Sequence, residues 1–161
     1  MRHSIRFSLL VLLAAGATPV AAQTATVLPV ADSAGLAANR NNYMRLYAAG
    51  DAAGIAALFA EDATLDMFGA PRMKGRSSIE AGLRAAFGIQ KPVSVEIVPV
   101  GINAVSAAMA SEIGTFHQTD QVNGKTVHSW GRYVTAIARD SSAAWRLQYL
   151  MVFPDSTRTD K

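Results

Sequence analysis

Cysteine is absent from this sequence, which excludes disulfides, thiolate metal sites, a cysteine nucleophile and a lipidated cysteine anchor in one step. The fold must therefore hold through its core alone. Clusters of Lys and Arg are also missing, so the basic field that nucleic-acid binding depends on is not there, and nucleic acid is not an expected partner. Histidine is sparse, with three in the whole chain. Only His117 and His128 lie outside the N-terminal segment. The strand pattern makes them diagonal neighbours with no acidic residue placed between them, so neither a metal nor another cofactor is expected. Past the N-terminal segment, no apolar run approaches the roughly 20 residues that a membrane-spanning helix needs.

What is present begins with an export pattern. Arg2 and Arg6 precede the apolar run Phe7 to Ala15, and Val20-Ala21-Ala22 places small residues before Gln23. This reads as a cleaved secretory signal over residues 1–22. Cleavage leaves 139 of the 161 residues, enough for one core and too few for two ordinary domains. It also lowers the basic count from 15 to 13 against 12 acids, so the mature chain is nearly neutral. An alanine-rich, cysteine-free exported chain fits a bacterial periplasmic or secreted protein.

Residues 23–35 are small, polar or proline-containing and are expected to form a flexible lead. From Leu36 the spacing of Leu36, Tyr43, Leu46 and Tyr47 fits one helix face, and Gly50 ends it. Asp51 is placed to cap a second helix whose buried stripe is Ile55, Leu58 and Phe59. Residues 63–68 alternate as a short strand, and Gly69-Ala70-Pro71 turns it. Ser77 and Glu80 form a capping-box pattern for a third helix carrying Ile79, Leu83, Ala86 and Phe87, which Gly88 stops.

Beyond Pro92 the period changes to two, predicting four strands in an antiparallel meander. Pro99 marks the first of them as an edge or bulged strand. Asn123-Gly124 suits a two-residue type I′ hairpin. A tight turn there pairs Val122 with Lys125, Thr119 with His128, His117 with Trp130, Thr115 with Arg132 and Gly114 with Tyr133. The last strand is expected over Trp145 to Phe153, leaving residues 155–161 as a polar tail.

The ordered set of YAAGDAAGIAALFAEDATL, Gly75-Arg76 before the third helix, the GTF and GRY strand segments and the WRL start of the final strand resembles one family. It is the cone-shaped, NTF2-like superfamily of nuclear transport factor 2, ketosteroid isomerase and the SnoaL-like polyketide cyclases, and the chain looks closest to its SnoaL-like and DUF4440-type members. The resemblance spans about Leu36 to Phe153 and implies an α+β fold, with three helices packed on a strongly curved antiparallel sheet around an internal pocket. It further implies that Tyr43, eight residues before Asp51, stands where the isomerases place an oxyanion-donating tyrosine. Met67 stands where they place their carboxylate base. Asp66 beside it cannot substitute, because adjacent strand residues point to opposite faces. Tyr133 falls near the second oxyanion acid. Steroid-isomerase activity is therefore not expected.

The hairpin register puts Thr115, His117, Thr119, His128, Trp130 and Arg132 on one sheet face, and Phe116, Gln118, Ser129, Gly131, Tyr133 and Thr135 on the other. The Tyr133 match favours the second set as pocket lining, and the density of ionisable groups favours the first. Facing inward, His117 and Arg132 would serve as general base and anion clamp. Facing outward, they would lie where relatives of this family dimerise. The catalytic candidates are thus Tyr43, His117 and Arg132. The pocket candidates are Tyr43, Tyr47, Met67, Phe87, Phe116, Trp130, Tyr133 and Leu150. Glu112, if inward in an apolar cone, would be a further base. The expected function is binding of a small apolar or amphipathic molecule, with acid–base activity of isomerase, dehydratase or cyclase type. The rival is a dimerisation or interaction module with a vestigial pocket.

Overall fold

A computed structural model describes residues 30–160, so the signal segment and most of the lead lie outside the described residues. Three helices, α1 (Val30–Ala48), α2 (Ala52–Ala57) and α3 (Arg76–Ile89), pack on six strands. The strands are β1 (Phe59–Met67), β2 (Met73–Lys74), β3 (Lys91–Ser106), β4 (Met109–Val122), β5 (Lys125–Arg139) and β6 (Trp145–Thr159). They form one sheet in the order β2-β1-β6-β5-β4-β3.

Helix α1 starts at Val30, six residues before the first apolar position that the periodicity picks out. It closes as expected at Gly50, where φ is +66°. The Gly50 amide donates to the Tyr47 carbonyl at 2.9 Å and the Asp51 amide to the Leu46 carbonyl at 2.9 Å, the two bonds of a Schellman motif. Asp51 then caps α2 by accepting from the Gly54 amide at 2.8 Å. The third helix differs from its sequence signal. Its cap is Gly75, with φ +83° and no side-chain cap bond, and Ser77 lies inside the helix. The capping box does not form because Arg76 opens the helix and ties it to β1, donating to the Phe59 carbonyl and pairing with Glu61.

The meander β3 to β6 is antiparallel throughout, and the hairpin register is the one the turn implies, from Val122 opposite Lys125 to Gly114 opposite Tyr133. Asn123 and Gly124 both have positive φ, 52° and 75°, as a type I′ turn requires. Strand β3 is an edge strand and its register also shifts between Pro99 and Gly101, so proline sits where its missing N–H costs least. The sheet is mixed rather than wholly antiparallel. Strand β1 runs parallel to β6, and the short β2, which carries no periodic signal, pairs antiparallel to β1. Strand β6 continues to Thr159, taking in most of the expected polar tail, because residues 156–159 pair with residues 127–130 of β5.

The core lies between the helices and the inner sheet face, built from Leu36, Tyr47, Ile55, Phe59, Ile79, Leu83, Ile137 and Leu147. Two glycines let the inner face close. A Cβ on Gly131 would collide with the Phe153 carbonyl oxygen and the Phe116 ring, and one on Gly114 with the Val98 carbonyl and the Tyr133 ring. Gly131→Ala is therefore expected to lower stability by about 2 kcal/mol through overpacking against backbone that cannot yield. Denaturant unfolding measures this, and an unchanged midpoint would contradict the packing.

Candidate functional site

Between α1, α3 and the inner sheet face lies a cavity of about 140 Å³. That is the scale of an engineered apolar cavity that takes up benzene. Leu65 and Met67 from β1, Leu83 and Phe87 from α3, Val95 and Ile97 from β3, and Leu150 and Val152 from β6 make its wall mostly apolar. Polar groups enter chiefly from α1 and β4, where Asn39, Arg40, Tyr43 and Tyr47 recur at helical spacing and Glu112 and Gln118 alternate inward, joined by Tyr133 and Thr135 of β5 and by Gln90 at the end of α3.

These groups form two separate poles. At one, Glu112 is 1% exposed, pairs with Arg40 and accepts from Tyr133 Oη at 2.6 Å. Each carboxylate oxygen has its own donor, the condition under which a buried charge is tolerated. At the other, Asp120 is 3% exposed and accepts from Tyr47 Oη at 2.6 Å and from Gln118 Nε2 at 2.6 Å. Asn39 points elsewhere, donating to the Trp145 carbonyl at 3.1 Å. The Tyr43 hydroxyl has no hydrogen-bond partner among the described residues. It lines the cavity as the donor left for a ligand.

Burial sets the acidity of these phenols. Desolvation pushes Tyr43 up to about 12 from an ordinary 10.0. Tyr47 and Tyr133 are raised further, first by desolvation and then by their bonds to Asp120 and Glu112. All three are therefore neutral donors at physiological pH.

Of the residues singled out from sequence, Tyr43, Tyr47, Met67, Phe87, Phe116, Tyr133 and Leu150 line the cavity. His117, Trp130 and Arg132 do not. Phe116 points inward, so the alternation of β4 and the pairing of His117 with Trp130 put that row on the outer face. There His117 stacks on Trp130 at 4.8 Å and 4°, and its Nε2 lies 3.2 Å from His128 Nδ1. Arg132 is committed to Asp155 in a two-oxygen contact at 2.9 Å. The roles of general base and anion clamp in the cavity are thereby withdrawn for His117 and Arg132, and that of pocket wall for Trp130. Asp66 also faces away from the cavity, bonded to Arg72 at 2.5 Å. Among the described residues no group of three or more His, Asp or Glu side chains is arranged to hold a metal ion. None of their helices is long and apolar enough to cross a membrane.

Sequence reasoning missed Arg40, Asp120 and the part Gln118 plays in holding it. The signal for Arg40 was present, since it lies three residues before Tyr43 and seven before Tyr47, on the face that α1 buries. Asp120 follows Phe116 and Gln118 by the period of two.

Helices over one face of a curved mixed sheet, enclosing an apolar cavity with a few polar groups, define a small-molecule-enclosing α+β cone. The model of the SnoaL-like domain family matches residues 30–151, and the chain belongs to that family. No curated protein matches it. Solved structures share the fold at low identity. A ketosteroid isomerase-like protein from Erwinia carotovora atroseptica is similar at TM-score 0.69 and 14% identity, over 76% of this chain and 95% of that one. A candidate scytalone dehydratase from Novosphingobium aromaticivorans is similar at 0.71 and 13%, over 82% and 89%. A hexachlorocyclohexane dehydrochlorinase is similar at 0.71 and 12%, over 82% and 90%.

The raised Tyr43 gives a pH prediction with a definite sign. Between pH 10 and about 12 the unfolded chain releases a phenolic proton that folded Tyr43 keeps, so the unfolded state binds fewer protons and stability falls as pH rises. The contribution is complete below pH 10. Urea unfolding across roughly pH 9 to 12 should show this decline. Tyr43→Phe should make it shallower, and an identical slope in the variant would refute the assignment.

Proposed function

We propose that this protein is an exported, periplasmic or secreted binder of one small apolar or amphipathic molecule, held in the cavity with the Tyr43 hydroxyl donating to an acceptor on it. The observation that carries this reading is a mostly apolar cavity in which Glu112 takes up Arg40 and Tyr133, and Asp120 takes up Tyr47 and Gln118, while Tyr43 Oη has no partner among the described residues. Tyr43 is half-buried, so its hydroxyl is free to donate to a ligand acceptor within a mostly apolar wall. Export rests on Arg2, Arg6 and the apolar run that follows. The outer face, with Val98, Ile113 and Val134 exposed beside the His117–Trp130 stack, supports pairing of two copies through the sheet.

Native mass spectrometry of protein purified from its own envelope tests all three parts. The expected result is a chain mass beginning at Gln23, a dimer, and a small adduct that Leu150→Trp, which fills the cavity, abolishes. Bare chain in both proteins would remove the ligand reading, and a monomer mass the pairing.

A second reading, proton transfer on the bound molecule, is favoured by Glu112, a carboxylate sealed in an apolar cavity beside a tyrosine donor at 2.6 Å. Here Glu112 takes a proton from the ligand and returns it elsewhere, while Tyr43 steadies the developing oxyanion. Protein incubated with its retained ligand in deuterated water should label a carbon position, and Glu112→Gln should stop the labelling while the adduct stays. Absence of label in the unmodified protein rules proton transfer out.

A further inference from the structure

The inward row of β4 runs Glu112, Gly114, Phe116, Gln118, Asp120, and its two carboxylates differ in how their charge is met. Glu112 has the guanidinium of Arg40. Asp120 has only neutral donors, the Tyr47 hydroxyl and the Gln118 amide. No Lys, Arg or His of the described residues forms an ion pair with it. Its cross-strand neighbours, Pro92 and Val127, carry no charge. With one cation and two carboxylates, the cavity end of β4 holds a net single negative charge, and at 3% exposure water screens it little.

What this pole presents to the cavity follows from where its protons go. Tyr47 and Gln118 both line the cavity, and both direct a proton away from it toward Asp120. Tyr47 then has only oxygen lone pairs left to offer, and Gln118 keeps its Oε1 as an acceptor beside its second amide N–H. Around these acceptors stand aromatic rings. Tyr43 lies parallel to Tyr47 at 6.5 Å and 12°, Phe87 meets Tyr47 edge-on at 5.5 Å, and Phe116 lines the same cavity. Aromatic faces together with an unneutralised carboxylate are the two components that stabilise a desolvated ammonium group. The one cation lining the cavity among the described residues, Arg40 of α1, sits at the opposite pole, neutralised by Glu112, which lies eight residues along β4 from Asp120.

We infer that the cavity selects a cationic amine, a compact apolar molecule with a protonated amino group seated among Tyr43, Tyr47 and Phe116 and directed at the Tyr47–Gln118–Asp120 pole. This deepens the cavity-binding reading and rests on it. Carboxylates and phosphates of the same size are excluded, because no unpaired cation faces the cavity and Asp120 repels them.

Three probes of nearly one shape separate the possibilities: 2-phenylethylamine, 2-phenylethanol and phenylacetate, titrated calorimetrically into the full mature chain at neutral pH. The amine should bind about tenfold or more tightly than the alcohol, with the acid weakest, a gap of the size expected for a desolvated cation on aromatic faces. Asp120→Asn, which keeps an acceptor for Tyr47 but removes the charge, should bring amine and alcohol to similar affinity. Alcohol binding as tight as amine, or acid binding tightest, overturns the amine assignment and leaves the cavity reading standing. Failure of all three probes overturns both. The comparison in the unmodified protein decides the matter even if the variant does not fold.

Discussion

Strand β4 buries two carboxylates, and each is met by side chains of helix α1: Glu112 by Arg40, and Asp120 by Tyr47. The placement of the helix over the sheet depends on these two clasps. An unmatched buried charge costs several kcal/mol, so any sliding of α1 that parted either pair would be strongly opposed. Apolar contacts alone would tolerate several positions of α1 along the sheet. The clasps select one, and the space left between them, walled by Phe116 and Tyr43, is the cavity.

The same arrangement explains why the cavity stays open. Bringing α1 closer to the sheet would require the Arg40 and Tyr47 side chains to fold back from the carboxylate acceptors they already satisfy. Gly114 and Gly131 work in the other direction, admitting the Tyr133 and Phe116 rings flat against the sheet, so that the wall stays thin where a larger residue would fill it. The site is thus held by polar pairs at its ends and by missing side chains along its middle.

Much of the fold was legible in the sequence because it is written in local chemistry. Asn123-Gly124 admits one tight turn, and that turn sets fourteen cross-strand pairs between β4 and β5 without reference to anything distant. Gly50 and Asp51 act within five residues of themselves. The failures are non-local. Ser77 and Glu80 satisfy a local capping rule, but Arg76, one residue earlier, opens the helix and donates to the Phe59 carbonyl of β1. The two-residue β2 is too short to show a period, and the parallel pairing of β1 with β6 spans α3 and the whole meander, a distance that no periodicity encodes. Seven of the eight pocket candidates stand in the cavity wall, and they make up about a third of it. Which face looked inward was not legible, since strict alternation gives two faces and no sign. The conspicuous polar row of His117, Trp130 and Arg132 is conspicuous because the outer face tolerates charge, whereas Arg40 and Asp120 are single polar letters in apolar stripes, where they read as interruptions.

Those interruptions bear on chemistry. In the isomerase pattern that the sequence resembles, a carboxylate works at the position of Met67, and here Met67 lines the cavity while its neighbour Asp66 faces away toward Arg72. The acids of this cavity have moved to β4, and both are hydrogen-bonded on each oxygen. A carboxylate so held can accept a further proton only by giving up a bond to Arg40, Tyr133, Tyr47 or Gln118, so proton transfer at this site is coupled to movement of a clasp. Binding asks for no such movement. The binding proposed above would use Tyr43, whose hydroxyl is unspent among the described residues, and the lone pairs that Tyr47 and Gln118 keep after serving Asp120. On that reading recognition needs no change in the resting structure, whereas catalysis would have to be driven by a ligand whose contacts replace the bonds that its proton displaces.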